Sequence, residues 1–134
     1  MVYEDDRVLC FHDRAPAADV HLLVIPKMHH PSAAELKGGD VELAEYLAAT
    51  GQRCIAELCG EKAAADDALY GYHWPPFSSV KHLHLHALAP ASSMSFRKRL
   101  VYKAGSPWFA TSDWLLERLR GMRAAAAAAP TSTS

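Results

Sequence analysis

The chain has 134 residues, half of them hydrophobic, enough for one compact core and little more. Its 14 basic and 15 acidic residues give a net charge of −1, so no global field draws it to a nucleic-acid backbone or an anionic membrane. Cys10, Cys54 and Cys59 are odd in number and form no C-x-x-C pair, which argues against a disulfide framework or zinc knuckle and for buried, inert thiols. With no signal-like N-terminus and no apolar run near the ~20 residues that span a bilayer, the expectation is an intracellular, cytoplasmic protein.

In chain order, Val2 to Glu4 and Arg7 to Asp13 read as strands around an Asp5-Asp6 turn. A turn at Pro16 leads into the β-rich run His21 to Pro26. The pattern Ser32-Ala33-Ala34-Glu35 predicts a capping box on a short helix ended by Gly38-Gly39. Asp40 can cap a longer helix whose inner face carries Leu43, Leu47, Thr50, Cys54 and Leu58, ended by Gly60. Lys62 to Asp67 reads as a loop or frayed end, Leu69 to His73 as a strand, Trp74 to Phe77 as a rigid loop and Lys81 to Ala89 as a strand. A last amphipathic helix is expected over Thr111 to Met122, with Trp114, Leu115 and Leu119 inward. Residues 1–123 form the expected domain, and 124–134 a low-complexity, disordered tail. Hairpin-linked strands followed by segregated helices predict an α+β fold with an antiparallel sheet.

Eight histidines are the oddity of the composition, and three of them alternate: His82, His84 and His86. In a strand they share one face while Leu83, Leu85 and Ala87 share the other. Residues two apart lie ~6.6 Å apart along a strand, whereas two nitrogens on one zinc lie within ~4 Å of each other. A single metal held by all three therefore needs a bent strand, and a two-histidine site needs further ligands. A row of imidazoles with separate tasks needs neither. The middle ring can attack phosphorus while its other nitrogen donates to a fixed acceptor, commonly a backbone carbonyl.

His82-Leu83-His84-Leu85-His86-Ala87-Leu88 resembles the signature of the histidine triad (HIT) superfamily. Tyr3 to Asp6, Phe11-His12-Asp13 and His21 to Lys27 resemble the N-terminal half of its Hint branch. Tyr72 to Ser79 and the Trp114–Arg120 helix resemble a Hint subgroup that includes plant adenylylsulfatase-type proteins. The resemblance implies a sheet of about five strands with a long helix on one face, a homodimer formed by joining sheets, and no cofactor or metal. It implies a hydrolase releasing AMP from adenylyl sulfate or phosphoramidates, with a nucleotide-binding protein of little turnover as the alternative.

By the same resemblance His84 is the nucleophile, His86 contacts the phosphate and leaving group, and His82, supported by His21, orients the nucleophile. Ser79 assists the phosphate or departing group beside Ser78, Asp13 accepts ribose hydroxyls, and Phe11 and Leu23 lie near the base. Gly71 stands where Hint proteins often carry Asn, and Ser78 where many carry Gln. The start at Met1 implies a more open purine pocket and no N-terminal zinc site. His29 and His30 read as exposed turn residues, and Arg97, Lys98, Arg99 and Lys103 as a solvated basic run.

Overall fold

The computed structural model describes residues 1–75 and 81–128. Its strands are β1 (Tyr3–Glu4), β2 (Val8–His12), β3 (Val20–Pro26), β4 (Leu69–His73), β5 (Leu85–Ala89) and β6 (Phe109–Thr111). Its helices are α1 (Val41–Cys59), α2 (Glu61–Asp66), α3 (Phe96–Val101) and α4 (Ser112–Ala128). All the strand pairings are antiparallel, in the order β1-β2-β3-β5-β4-β6. The α+β class is as expected; the described residues form six strands where about five are expected. The edge strands are only two and three residues long, leaving little free backbone for a further strand.

The β1–β2 turn is built by one side chain. The Asp5 carboxylate accepts the amides of Arg7 at 2.7 Å and Val8 at 2.9 Å, and the hydroxyls of Tyr3 and Tyr46. These donors, led by Tyr46, hold the Asp5 carboxyl well below the usual carboxylate range.

One sheet face is closed by α1. Leu22, Val24, Leu85 and Ala87 are wholly buried there with Leu47, Cys54 and Ile55 of the helix. The helical face is rotated from the expected one. Ala44, Ala48, Gly51 and Ile55 join it, whereas Leu43 is half-buried and Leu58 is 47% exposed. Small residues at 44, 48 and 51 let the helix sit close to β5: a Cβ on Gly51 would lie 3.2 Å from Leu85.

The expected caps also differ. Ser32 makes no side-chain cap bond and precedes only a 3₁₀ turn, Ala33–Glu35. Asp40 does not cap α1, because its carboxylate accepts the Lys37 amide at 2.9 Å. Residues 61–66 are helical rather than looped. In α4, Leu115 and Leu119 are buried, but Trp114 is 46% exposed and packs edge-on against Trp74 at 5.2 Å. That helix runs on through Ala124–Ala128, since alanine has the highest helix propensity; residues 129–134 lie outside the described residues.

The other sheet face carries His21, Leu23, His86, Leu88 and His73. Register aligns Phe11, Leu23, His86, Gly71 and Thr111 in one row across five strands. Gly71 is a steric requirement of that row. A Cβ there would lie 2.5 Å from the Ala110 carbonyl oxygen and 2.6 Å from the Phe109 ring. Phe109 fills the space a side chain at 71 would need.

Candidate active site

The histidine run enters the sheet later than its alternation predicts. Only His86 lies in β5; His82 and His84 precede it. The alternation of faces still holds, with Leu83, Leu85 and Ala87 at most 1% exposed. The Leu83 amide donates to the His30 carbonyl at 2.6 Å, which fixes the segment before the ladder begins.

Hydrogen bonds set each ring's proton. His84 Nδ1–H donates to the His82 carbonyl oxygen at 2.7 Å, so the lone pair is on Nε2. His82 turns the other way. Its Nε2–H donates to the Pro26 carbonyl at 3.2 Å, and its Nδ1 accepts from His29 Nδ1 at 3.1 Å. The support for His82 is therefore His29, not His21 as expected. His29 reads in sequence as an exposed turn residue and carries no local signal of this contact.

His21 serves His86 instead. The Ala17 amide donates to His21 Nδ1 at 3.0 Å, which leaves the His21 proton on Nε2. That proton points at His86 Nδ1, 2.9 Å away, and the Asp13 carboxylate lies 3.4 Å from His21 Nε2. His86 therefore carries its proton on Nε2, an atom with no hydrogen-bond partner among the described residues. This is a donor held ready beside His84, whose ring centroid is 4.9 Å away. Asp13, His21 and His86 place ligand atoms within 4.8 Å of one another, but the 2.9 Å nitrogen–nitrogen distance is that of a hydrogen bond.

Burial pushes His86 far below the ordinary imidazole value, with His84, His21 and His73 adding repulsion. His21 falls to about 4, mainly by burial, opposed by Asp13. A histidine with a depressed native pKa contributes stability that is full above its unfolded value and lost as pH falls toward the native one. For His21 alone this is on the order of 3 kcal/mol. Urea midpoints should accordingly drop steeply between about pH 6.5 and pH 4, with part of that drop removed by His21→Asn. A flat profile across that range would refute the buried, neutral pair.

The remaining expected residues divide. Phe11 and Leu23 are half-buried cross-strand partners next to His86 in the row. Asp13 accepts the Ala15 amide at 2.9 Å and keeps its other oxygen toward His21. Ser78 and Ser79 lie outside the described residues. Two further rings pack on this face of the sheet. His73, closing β4, lies 4.8 Å from His86 and 4.9 Å from Tyr102, and the Tyr102 ring also touches His21 and Phe109. Period two from Leu69 and Gly71 puts His73 on this face; nothing local marks Tyr102. The basic run is exposed as expected, although Lys98 is near enough to oppose protonation of His21.

Residues 1–102 match the family model described as the scavenger mRNA decapping enzyme C-terminal binding region. The chain is 40% identical over 117 residues to adenosine 5′-monophosphoramidase HINT3 of Mus musculus, covering 87% of this chain and 70% of that one. It is 36% identical over 124 residues to the bifunctional adenosine 5′-phosphosulfate phosphorylase/adenylylsulfatase HINT4 of Arabidopsis thaliana, covering 90% and 82%. Among solved structures it resembles a HIT family hydrolase from Clostridium thermocellum, with a TM-score of 0.57 and 28% identity over 64% of this chain and 74% of that one. Fold, site and relatives agree: the chain belongs to the histidine triad superfamily and, within it, to the Hint branch of hydrolase-type enzymes.

Proposed function

We propose that the chain hydrolyses adenosine 5′-monophosphate derivatives through a covalent nucleotidyl–His84 intermediate, releasing AMP. The observation that carries this reading is the His84 ring: its Nδ1 proton is committed to the His82 carbonyl, so its Nε2 lone pair is the nucleophile. Attack forms the P–Nε2 bond as the leaving group departs, and the charge on the ring is shared with the His82 carbonyl through Nδ1–H. Water then displaces AMP and restores neutral His84. His86 Nε2–H donates to a phosphoryl oxygen, where the charge it meets grows in the transition state. His82, itself held by Pro26 and His29, keeps its carbonyl in place.

Phe11 and Leu23 offer an apolar floor to the base, and Asp13 accepts ribose hydroxyls. Ser79, with Ser78, takes the phosphate or departing group on the strength of family resemblance. The relatives named for adenylylsulfatase and phosphoramidase activities support both sulfate and amines as leaving groups. The substrate is a small nucleotide rather than a nucleic acid, in keeping with a net charge of −1.

Incubation with adenylyl sulfate and with an AMP amide, each with and without chelator, tests this reading. Release of AMP in all four arms is expected. No release from either substrate would overturn it and favour a binding protein with little turnover. Asp13→Asn should raise KM about tenfold, the worth of one charge-assisted hydrogen bond, with kcat within about threefold. An unchanged KM would remove Asp13 from ribose recognition.

A further inference from the structure

Among the described residues, the fixed protons of the triad leave protonation of the leaving group without a donor. The Ala17 amide occupies His21 Nδ1, so the His21 proton faces His86 Nδ1 at 2.9 Å. A second proton on His86 Nδ1 would meet that N–H head-on. His86 cannot release its Nε2 proton without gaining one at Nδ1 either, since that would leave an imidazolate on a ring 4% exposed. His86 is thus a hydrogen-bond donor and not an acid. The His84 proton is tied to the His82 carbonyl. An amine leaving group nevertheless has to be protonated as its P–N bond breaks.

His73 is not part of the His21–His86 chain of protons; its ring is hydrogen-bonded instead to the Trp108 backbone. It closes β4, on the far side of His86 from the β2–β3 floor of Phe11 and Leu23. Its ring meets His86 edge-on, and it shares the walls of a small cleft with His84, His82, Pro31 and Ser32. The groups facing it are His84 and His86 beside it, Tyr102 beyond α3, Phe109 of β6 and the Trp108 backbone. No carboxylate touches it among the described residues.

We propose that His73 is the acid that protonates an amine leaving group, which extends the site from anionic leaving groups such as sulfate to phosphoramidates. This rests on the hydrolase function proposed above. In the first step His84 Nε2 bonds to phosphorus, the P–N bond breaks, and its electron pair takes the proton of the His73 imidazolium, leaving neutral His73. Solvent returns that proton before the next turnover. Sulfate departs as a stable dianion and needs no such transfer. Burial lowers His73 below the ordinary imidazole value, opposed by the Trp108 backbone hydrogen bond and aided by His84, which makes its protonated form the stronger acid.

The test compares kcat/KM for an AMP amide and for adenylyl sulfate, because that ratio reports only the steps through leaving-group departure. His73→Gln and His73→Phe should each lower the amide value about 100-fold, with the sulfate value within about threefold. Equal losses on both substrates would overturn the proposal. In the unaltered protein, kcat/KM for the amide should fall as pH rises through the His73 midpoint, with that limb missing for adenylyl sulfate; coincident profiles would also overturn it. AMP release from neither substrate would instead overturn the hydrolase function, and this inference with it.

Discussion

His84→Ala should lower kcat for both adenylyl sulfate and an AMP amide by about 10⁴-fold or more, the scale of losing a covalent nucleophile rather than a hydrogen bond. The loss should not come from unfolding. His84 is half-buried, its one fixed bond is to its neighbour's carbonyl, and its ring supports no part of the α1 core. Stability should stay within about 0.5 kcal/mol of the unaltered protein. Binding of AMP should survive as well, because Phe11, Leu23 and Asp13 lie on β2 and β3 or just past them, away from the altered position. Steady-state rates beside calorimetric titration with AMP would separate these effects. A variant that binds AMP but keeps full turnover would require another nucleophile.

Gly71→Ala should destabilise the fold by about 3 kcal/mol through overpacking. The added methyl meets the Ala110 carbonyl at 2.5 Å and two Phe109 ring atoms at 2.6 and 2.7 Å, which are backbone and a fully buried ring. Neither can yield cheaply. Phe109 is wedged against His73 and Tyr102, so the strain passes into the rings around His86. The urea midpoint should fall, and activity should fall further than the folded fraction accounts for. A midpoint unchanged from the parent would show that β6 lies elsewhere. The glycine that departs from the common Hint pattern is thus explained by what replaces the missing side chain.

Much of the fold was legible because it rests on local periodicity. The alternation through Leu83, Leu85 and Ala87 located the buried face, and the 41–59 helix followed from its apolar stripe and Gly60, whose φ is +95°. What escaped depends on contacts distant in sequence. β6 is three residues long, too short for a period, and exists because β4 has a free edge and Gly71 admits Phe109. The last triad strand begins at Leu85 rather than Lys81 because Leu83 pairs with His30, beyond the end of β3. Asp40 has the residue type of a cap but spends its carboxylate on Lys37.

The site divides in the same way. The triad and its spacing are in the sequence, as is the face that carries His73. The tautomers of His82 and His86 are not, because each is set by a partner far along the chain: the Pro26 carbonyl for His82, and Ala17 with His21 for His86. For this reason the sequence points His21 at the wrong member of the triad. Spacing within β3 placed it on the right face but could not say which ring on β5 it meets. Register decides that: Leu23 pairs with His86, and His21 lies two residues along on the same face.

The bond that His84 forms to phosphorus is the step on which the mechanism depends. Rapid mixing with adenylyl sulfate, acid-free quenching within the first turnover and mass spectrometry of the digested protein would locate any covalent adenylate. One adenylyl group on the peptide containing His84, retained in its His82→Ala and His86→Ala variants at reduced yield and lost in His84→Ala, is the predicted result. An adenylyl group on another residue, or AMP release in the His84→Ala protein at the parent rate, would contradict it.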